Sequence, residues 1–156
     1  MKKILRLFIC LSVFLFLTGC NKQVVKEDVI QTNKEEEVSE NKTMKLFIND
    51  VEVPVTWLDN ETVKEIEDEV NNNDIVVSMN MYGGNEQYGS LGRSFVSNNT
   101  QTTTSIGDIV LYNNDNIVVF YGSNTWSYTR LGKMNLEDHE VIELLSNSDV
   151  KLTLSK

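Results

Sequence analysis

Reactive side chains are scarce in this 156-residue chain. Its two cysteines, Cys10 and Cys20, both fall in the first twenty residues, so the remainder can form no internal disulfide. Histidine occurs once, as His139 between Asp138 and Glu140, on what reads as a solvated helix. A lone imidazole with no nucleophile and no orienting partner in a motif offers no general base. One histidine and no later thiol are too few ligands for zinc. Asn113-Asn114-Asp115-Asn116 is rich in oxygen but lacks the central glycine and closing glutamate of a calcium loop. Gly83-Gly84 has no downstream Lys-Ser or Lys-Thr to complete a phosphate loop. No metal and no cofactor is therefore expected. Positive charge is scarce as well: 14 Lys and Arg stand against 23 Asp and Glu, a formal net charge of -9. That balance opposes binding to nucleic acid or anionic headgroups.

The one long apolar run covers residues 7–17 and follows Lys2, Lys3 and Arg6. It is shorter than the roughly 20 residues of a spanning helix, and its flanks fit a secretory signal peptide. The run ends in Leu17-Thr18-Gly19-Cys20, which resembles the lipobox of bacterial lipoproteins. The resemblance implies cleavage before Cys20 and lipidation of its sulfur. Residues 1–19 are then a signal peptide, and the protein is held on the outer face of the cell membrane by its lipid. Loss of the three basic residues would take the net charge to about -12. Residues 20–43 hold the lipidated cysteine and a Lys-, Glu- and Asn-rich spacer without aromatics, too polar to offset its ordering entropy.

Residues 44–156 carry the folding signals. Two β-rich runs, 44–48 and 51–57, flank Asn49-Asp50, a tight hairpin signal. Pro54, the single proline, implies an edge or a bulge there. Asp59 or Asn60 opens a helix whose Val63, Ile66 and Val70 form one stripe. Glu65 and Glu69 then fall on a solvated face, so they are not read as a catalytic pair. Residues 75–81 read as a strand with Val77, Met79 and Met81 on one face. Residues 98–105, rich in Thr and Asn, read as a loop. Gly107-Asp108-Ile109-Val110-Leu111-Tyr112 and Ile117-Val118-Val119-Phe120-Tyr121-Gly122 flank the Asn/Asp tetrad and predict a hairpin suited to a half-buried surface. A strand over 128–134 follows. Asn135 is then placed to cap a short helix with Val141, Ile142, Leu144 and Leu145 on its apolar face. Val150, Leu152 and Leu154 alternate in a closing strand.

Asp59-Asn60-Glu61-Thr62, Met79-Asn80-Met81, Gly84-Asn85-Glu86-Gln87-Tyr88, Gly107-Asp108-Ile109 and Ser127-Tyr128-Thr129-Arg130-Leu131-Gly132 together resemble the bacterial cyclophilin-like domain. The resemblance spans residues 44–156. It implies a mainly β fold, a closed eight-stranded barrel with two short capping helices. Isomerase cyclophilins carry a Phe-His-Arg sequence that is absent here, and no catalytic residue transfers. The remaining candidates for a ligand-binding site are Met81, Tyr82, Glu86, Tyr88, Arg93, Tyr121, Trp126, Tyr128 and Arg130, with Met79 beside them. Aromatic bodies with polar tips and a few charges suit a recognition groove for a peptide, a protein or a small ligand. A proline isomerase is the competing expectation. It requires Arg93 or Arg130 at the lip of an apolar pocket.

Overall fold

The computed structural model describes residues 44–156. The signal segment, Cys20 and the spacer lie outside the described residues.

Strand β1 (Lys45–Ile48) turns through Asn49 and Asp50 into β2 (Val51–Val53). Both turn residues take positive φ, 49° and 67°, as a two-residue hairpin of matching twist requires. Pro54 separates β2 from β3 (Val55–Trp57). Helix α1 (Glu61–Val70) follows, with Asn60 as its cap: Val63 N donates to Asn60 Oδ1 at 3.0 Å. The same side chain donates through Nδ2 to the Arg130 carbonyl at 2.9 Å, tying the helix start to the later chain. Asn60→Ala should therefore cost about 1–2 kcal/mol in chemical denaturation, the upper range for a lost cap. A loss of only a few tenths would show that these two bonds are redundant.

The expected strand over 75–81 is two strands, β4 (Ile75–Ser78) and β5 (Asn80–Tyr82), with Met79 between them. β5 turns through Gly83 and Gly84, at φ 62° and 70°, into β6 (Glu86–Ser90). The Thr-rich tract is not a loop throughout: β7 (Thr100–Thr103) pairs with the start of β10. The predicted hairpin is present as β8 (Asp108–Tyr112) and β9 (Asn116–Phe120), with Asn113 and Asn114 at positive φ. β10 (Thr125–Met134) starts three residues earlier than the periodicity indicates. Helix α2 (Asp138–Leu145) is capped at Glu137, not at Asn135. The Glu140 side chain accepts from Glu137 N at 2.9 Å, whereas Asn135 Nδ2 donates to the Thr56 hydroxyl. Val141 and Leu145 are buried, but Ile142 is exposed and does not widen the apolar face. β11 (Lys151–Ser155) ends the fold with Leu152 and Leu154 inside.

The strands form two antiparallel sheets. One has the order β2-β1-β11-β4, the other β3-β10-β8-β9-β6-β5, with β7 added on β10. The main core lies on Leu46, Ile48, Leu152 and Leu154 of the first sheet and Ile109, Leu111, Ile117 and Val119 of the second. Val63 and Ile66 of α1 and Leu145 of α2 complete it. Neither sheet closes on itself by hydrogen bonds. The chain passes directly from one to the other at Pro54 and at Met79, and by way of the helices between β3 and β4 and between β10 and β11. Pro54 has no N–H for a ladder, but its carbonyl accepts from Asn135 N at 2.7 Å. Met79 N donates to the Val150 carbonyl at 2.8 Å. Met79 keeps its side chain in the core, while Met81 is exposed, so the expected common face of Val77, Met79 and Met81 breaks at this crossing.

The central hairpin is buried on both faces, not one. Ile109, Leu111, Ile117 and Val119 belong to the main core. The alternate residues Val110, Val118 and Phe120 form a second cluster with Tyr128, and Tyr112 packs against it. This second cluster lies on the opposite face of the sheet, because successive strand residues point to opposite sides. It is the floor of the candidate site.

Candidate functional site

Register places the site residues. Tyr82 of β5, Glu86 of β6 and Phe120 of β9 stand opposite one another across three strands. One pleat along, Tyr88 stands opposite Val118, and Val118 opposite Val110. Residues paired in this way share a face. This face opens into a groove of about 440 Å³. Tyr82, Glu86 and Tyr88 line one side, with Val118 beneath. Trp126, Tyr128 and Asn124 form the other side, with Tyr112 at its base. The rings pack edge to face: Tyr82 on Tyr88 at 6.2 Å, Tyr112 on Tyr128 at 6.0 Å, and Phe120 on Tyr128 at 5.7 Å between centroids. Trp126 and Tyr82 are 59% and 64% exposed, a large apolar surface to leave in water.

The β7 strand holds the Trp126 wall in place. Trp126 pairs with Thr102, and the Thr103 and Thr125 hydroxyls bond at 2.8 Å. Asn124 is fixed through Thr104: its N–H donates to Thr104 Oγ1 at 3.0 Å, and its carbonyl accepts from Thr104 N at 2.8 Å. Asn124 Nδ2 is then free to donate to the Tyr128 hydroxyl at 3.0 Å. On the far side, Asn85 straps the β5–β6 turn down: its carbonyl accepts from Tyr121 N and its Nδ2 donates to the Ser123 carbonyl.

Glu86 is the charged group of the groove. It is 7% exposed, and its Oε2 is buried with no hydrogen-bond donor among the described residues. No basic side chain lines the groove. Burial pushes the Glu86 carboxyl above the ordinary carboxylate range, and the nearby Asn124 amide offsets part of that rise. Burial also raises the Tyr128 and Tyr121 hydroxyls, and the Glu86 charge raises both further. The Tyr121 hydroxyl is itself buried without a partner.

A carboxyl whose pKa is raised on folding favours the fold while protonated. Its contribution is lost as pH climbs from the ordinary carboxylate range through the raised value. Glu86→Gln should therefore raise the melting temperature by a few degrees at neutral pH, with the gain shrinking in acid. A melting series from pH 4 to 8 checks this, and a gain that stays constant across the series would count against a desolvated carboxylate.

Other expected residues lie elsewhere. Met81 stands opposite Gln87, on the face away from Glu86. Tyr121 packs into the main core, one residue out of phase with Phe120. Arg93 bonds Glu69 and Glu65 of α1, each at 2.9 Å, and lies over the Phe95 ring. Glu65 also accepts from Val96 N at 2.7 Å. The two glutamates thus clamp the segment after β6 and do not form the solvated face expected of them. The backbone bond from Val96 and the bond from Arg93 hold the Glu65 carboxyl below its usual range, so this clamp loosens as pH falls. Arg130 lines a second cleft of about 300 Å³ together with Asn60, Thr62, Val96, Asn98 and Thr129. The polar groups there are already joined: Thr62 donates to the Val96 carbonyl, and Thr129 Oγ1 accepts from Asn98 N. His139 is exposed on α2. Among the described residues no three His, Cys, Asp or Glu side chains group as metal ligands.

Tyr112, Val118 and Asn124 complete the groove without having been singled out from the sequence. Tyr112 and Val118 sit in the hairpin already recognised as structural, and only register shows that they share the face of Glu86.

The fold and groove define a class: a mainly β protein of antiparallel sheets with two helices and an aromatic recess on the outside of one sheet. Residues 46–155 match the cyclophilin-like family, and the chain belongs to that family. Comparison with curated proteins finds no match.

Proposed function

We propose that this protein is a lipid-anchored, extracytoplasmic binding module that takes a peptide or a small ligand in the aromatic groove and performs no chemistry on it. The observation that carries the reading is the groove itself: exposed Tyr82 and Trp126 around a buried carboxylate, with no nucleophile–base pair among the lining residues. Its volume falls within the roughly 300–1,000 Å³ of small-ligand pockets. The two direct strand-to-strand crossings, at Pro54 and Met79, support a closed barrel. β2 runs on into β3 and β4 into β5 with one residue between, so counting each continuous pair as one bent strand gives a circuit of eight. The anchor rests on the lipobox. Cys20→Ser should move the protein from the membrane fraction to the soluble one, and continued membrane retention would remove that part of the reading.

Trp126 provides the binding test. Titration of the full chain with a peptide library should shift tryptophan emission saturably, and Trp126→Phe should abolish the shift. Shifts that persist in that variant would place binding elsewhere.

The proline-isomerase reading keeps one supporting observation, Arg130 at a cleft that also presents Leu58 and Val96. Arg93 gives it none, being held by α1. In a proline-isomerisation assay the full chain is expected to produce no acceleration. A clear acceleration lost in Arg130→Ala would replace the binding reading with a foldase.

A further inference from the structure

Glu86, the buried acid of the groove, determines what chemistry the groove selects. A carboxylate taken out of water is normally paired with a cation or saturated with donors. Glu86 has neither: Oε2 finds no donor, and no Lys or Arg lines the recess. Among the described residues it takes part in no ion pair, although Arg93, Arg130 and Lys133 all have carboxylate partners elsewhere. Inside the fold only a proton can supply the missing countercharge, which is why burial raises the carboxyl, and a cationic ligand can take the proton's place. The surrounding rings point the same way. Tyr82, Tyr88 and Trp126 line the same recess as Glu86, and the negative faces of aromatic rings attract cations. The whole chain carries a net charge of -9, so its field draws cations and repels anions.

We propose that the groove is a receptor for an organic ammonium group, paired with the Glu86 carboxylate and boxed by the rings of Tyr82, Tyr88 and Trp126. A lysine side chain on a peptide and the head of a free alkylamine share this chemistry. An ammonium bearing N–H groups fits better than a quaternary one, because the carboxylate also needs hydrogen-bond donors. The inference rests on the groove being the binding site. It adds that charge, more than apolar area, decides what enters.

The test uses the full chain, with Trp126 emission as the readout and Trp126→Phe as the control for location. Four probes are titrated: Nα-acetyl-lysine methylamide, Nα-acetyl-norleucine methylamide, n-butylammonium and n-butanol. Each pair differs chiefly in the ammonium group. Both ammonium probes are expected to bind about tenfold or more tighter than their neutral counterparts. Glu86→Gln should erase that preference while its circular dichroism and melting temperature show an intact fold. A tighter lysine derivative than butylammonium assigns the source to a peptide, and equal affinities assign it to a free amine; both outcomes support the site. Norleucine binding as tightly as lysine, with the shift still lost in Trp126→Phe, overturns the ammonium assignment and leaves the groove reading standing. An ammonium preference unchanged in Glu86→Gln also overturns it. If no probe shifts the emission the ammonium assignment falls, and the peptide library then decides the groove reading separately.

Discussion

Phe120→Ala is expected to lower stability by about 3–5 kcal/mol, the range for truncating a fully buried aromatic side chain. Phe120 is 0% exposed. Its ring meets Tyr128 at 5.7 Å between centroids, in an edge-to-face arrangement. It also stands opposite Glu86 in the β6–β9 ladder. The cavity left by alanine would open beneath the groove, on the face away from the main core. Tyr128 would lose its support on one side, and the Tyr128 hydroxyl would be less firmly held for Asn124. Urea denaturation should therefore show a lower midpoint, and ligand-induced Trp126 emission changes should weaken in the same variant. Val76→Ala is the control: Val76 is 61% exposed, and its truncation should change little. If Phe120→Ala cost no more than that control, the second cluster would not be a core.

Gly89→Ala is the other large effect, about 2–3 kcal/mol from overpacking. Gly89 lies in β6, opposite Ile117. A methyl group there would collide with Val77 Cγ1 and come within 3.0 Å of the Ser78 carbonyl and 3.1 Å of Met79 Sδ. Val77 is branched and buried, and the carbonyl belongs to the backbone, so neither yields easily. The bare α-carbon is what lets the end of β4 press against β6 as the chain passes between sheets. Gly84→Ala makes a useful comparison. Its methyl would meet nothing within 4 Å, and only the φ of 70° resists it, a cost of about 1 kcal/mol. A Gly89→Ala variant no less stable than Gly84→Ala would mean that the two sheets do not approach there as described.

Much of the fold is legible in the residues because local signals agree with the final packing. Asn113 and Asn114 announce their turn, and Val63, Ile66 and Val70 announce the buried stripe of α1. The exceptions arise where partners distant in the chain decided the outcome. β7 reads as a loop because Thr100 to Thr103 bury little, yet their backbone completes an edge of β10. The central hairpin reads as half-buried because β-branched runs look alike whether one face or two are covered. The candidate site divides along the same line. Tyr82, Glu86, Tyr88, Trp126 and Tyr128 do come together. Met81 and Tyr121 fall one residue out of phase, and a period of two sends each to the opposite side of its sheet. Arg93 was drawn away by Glu65 and Glu69, which sit too far off in the chain for spacing to reveal the pairing. Membership of the family fixes none of these side-chain positions.

The pairing of β1 with β11 has a consequence for how the molecule is made. Lys151 N donates to Asn49 Oδ1 at 2.8 Å across 102 positions of sequence, and Leu46 and Leu154 stand opposite each other. As the polypeptide emerges from the ribosome, β1 and β2 can form only a two-stranded ribbon, which is marginal in water. Their third strand comes only after α2, with Lys151 lying 102 positions beyond Asn49. The ribbon must therefore wait with Leu46 and Ile48 uncovered, and a chain stopped after α2 would lack Leu152 and Leu154 from the core.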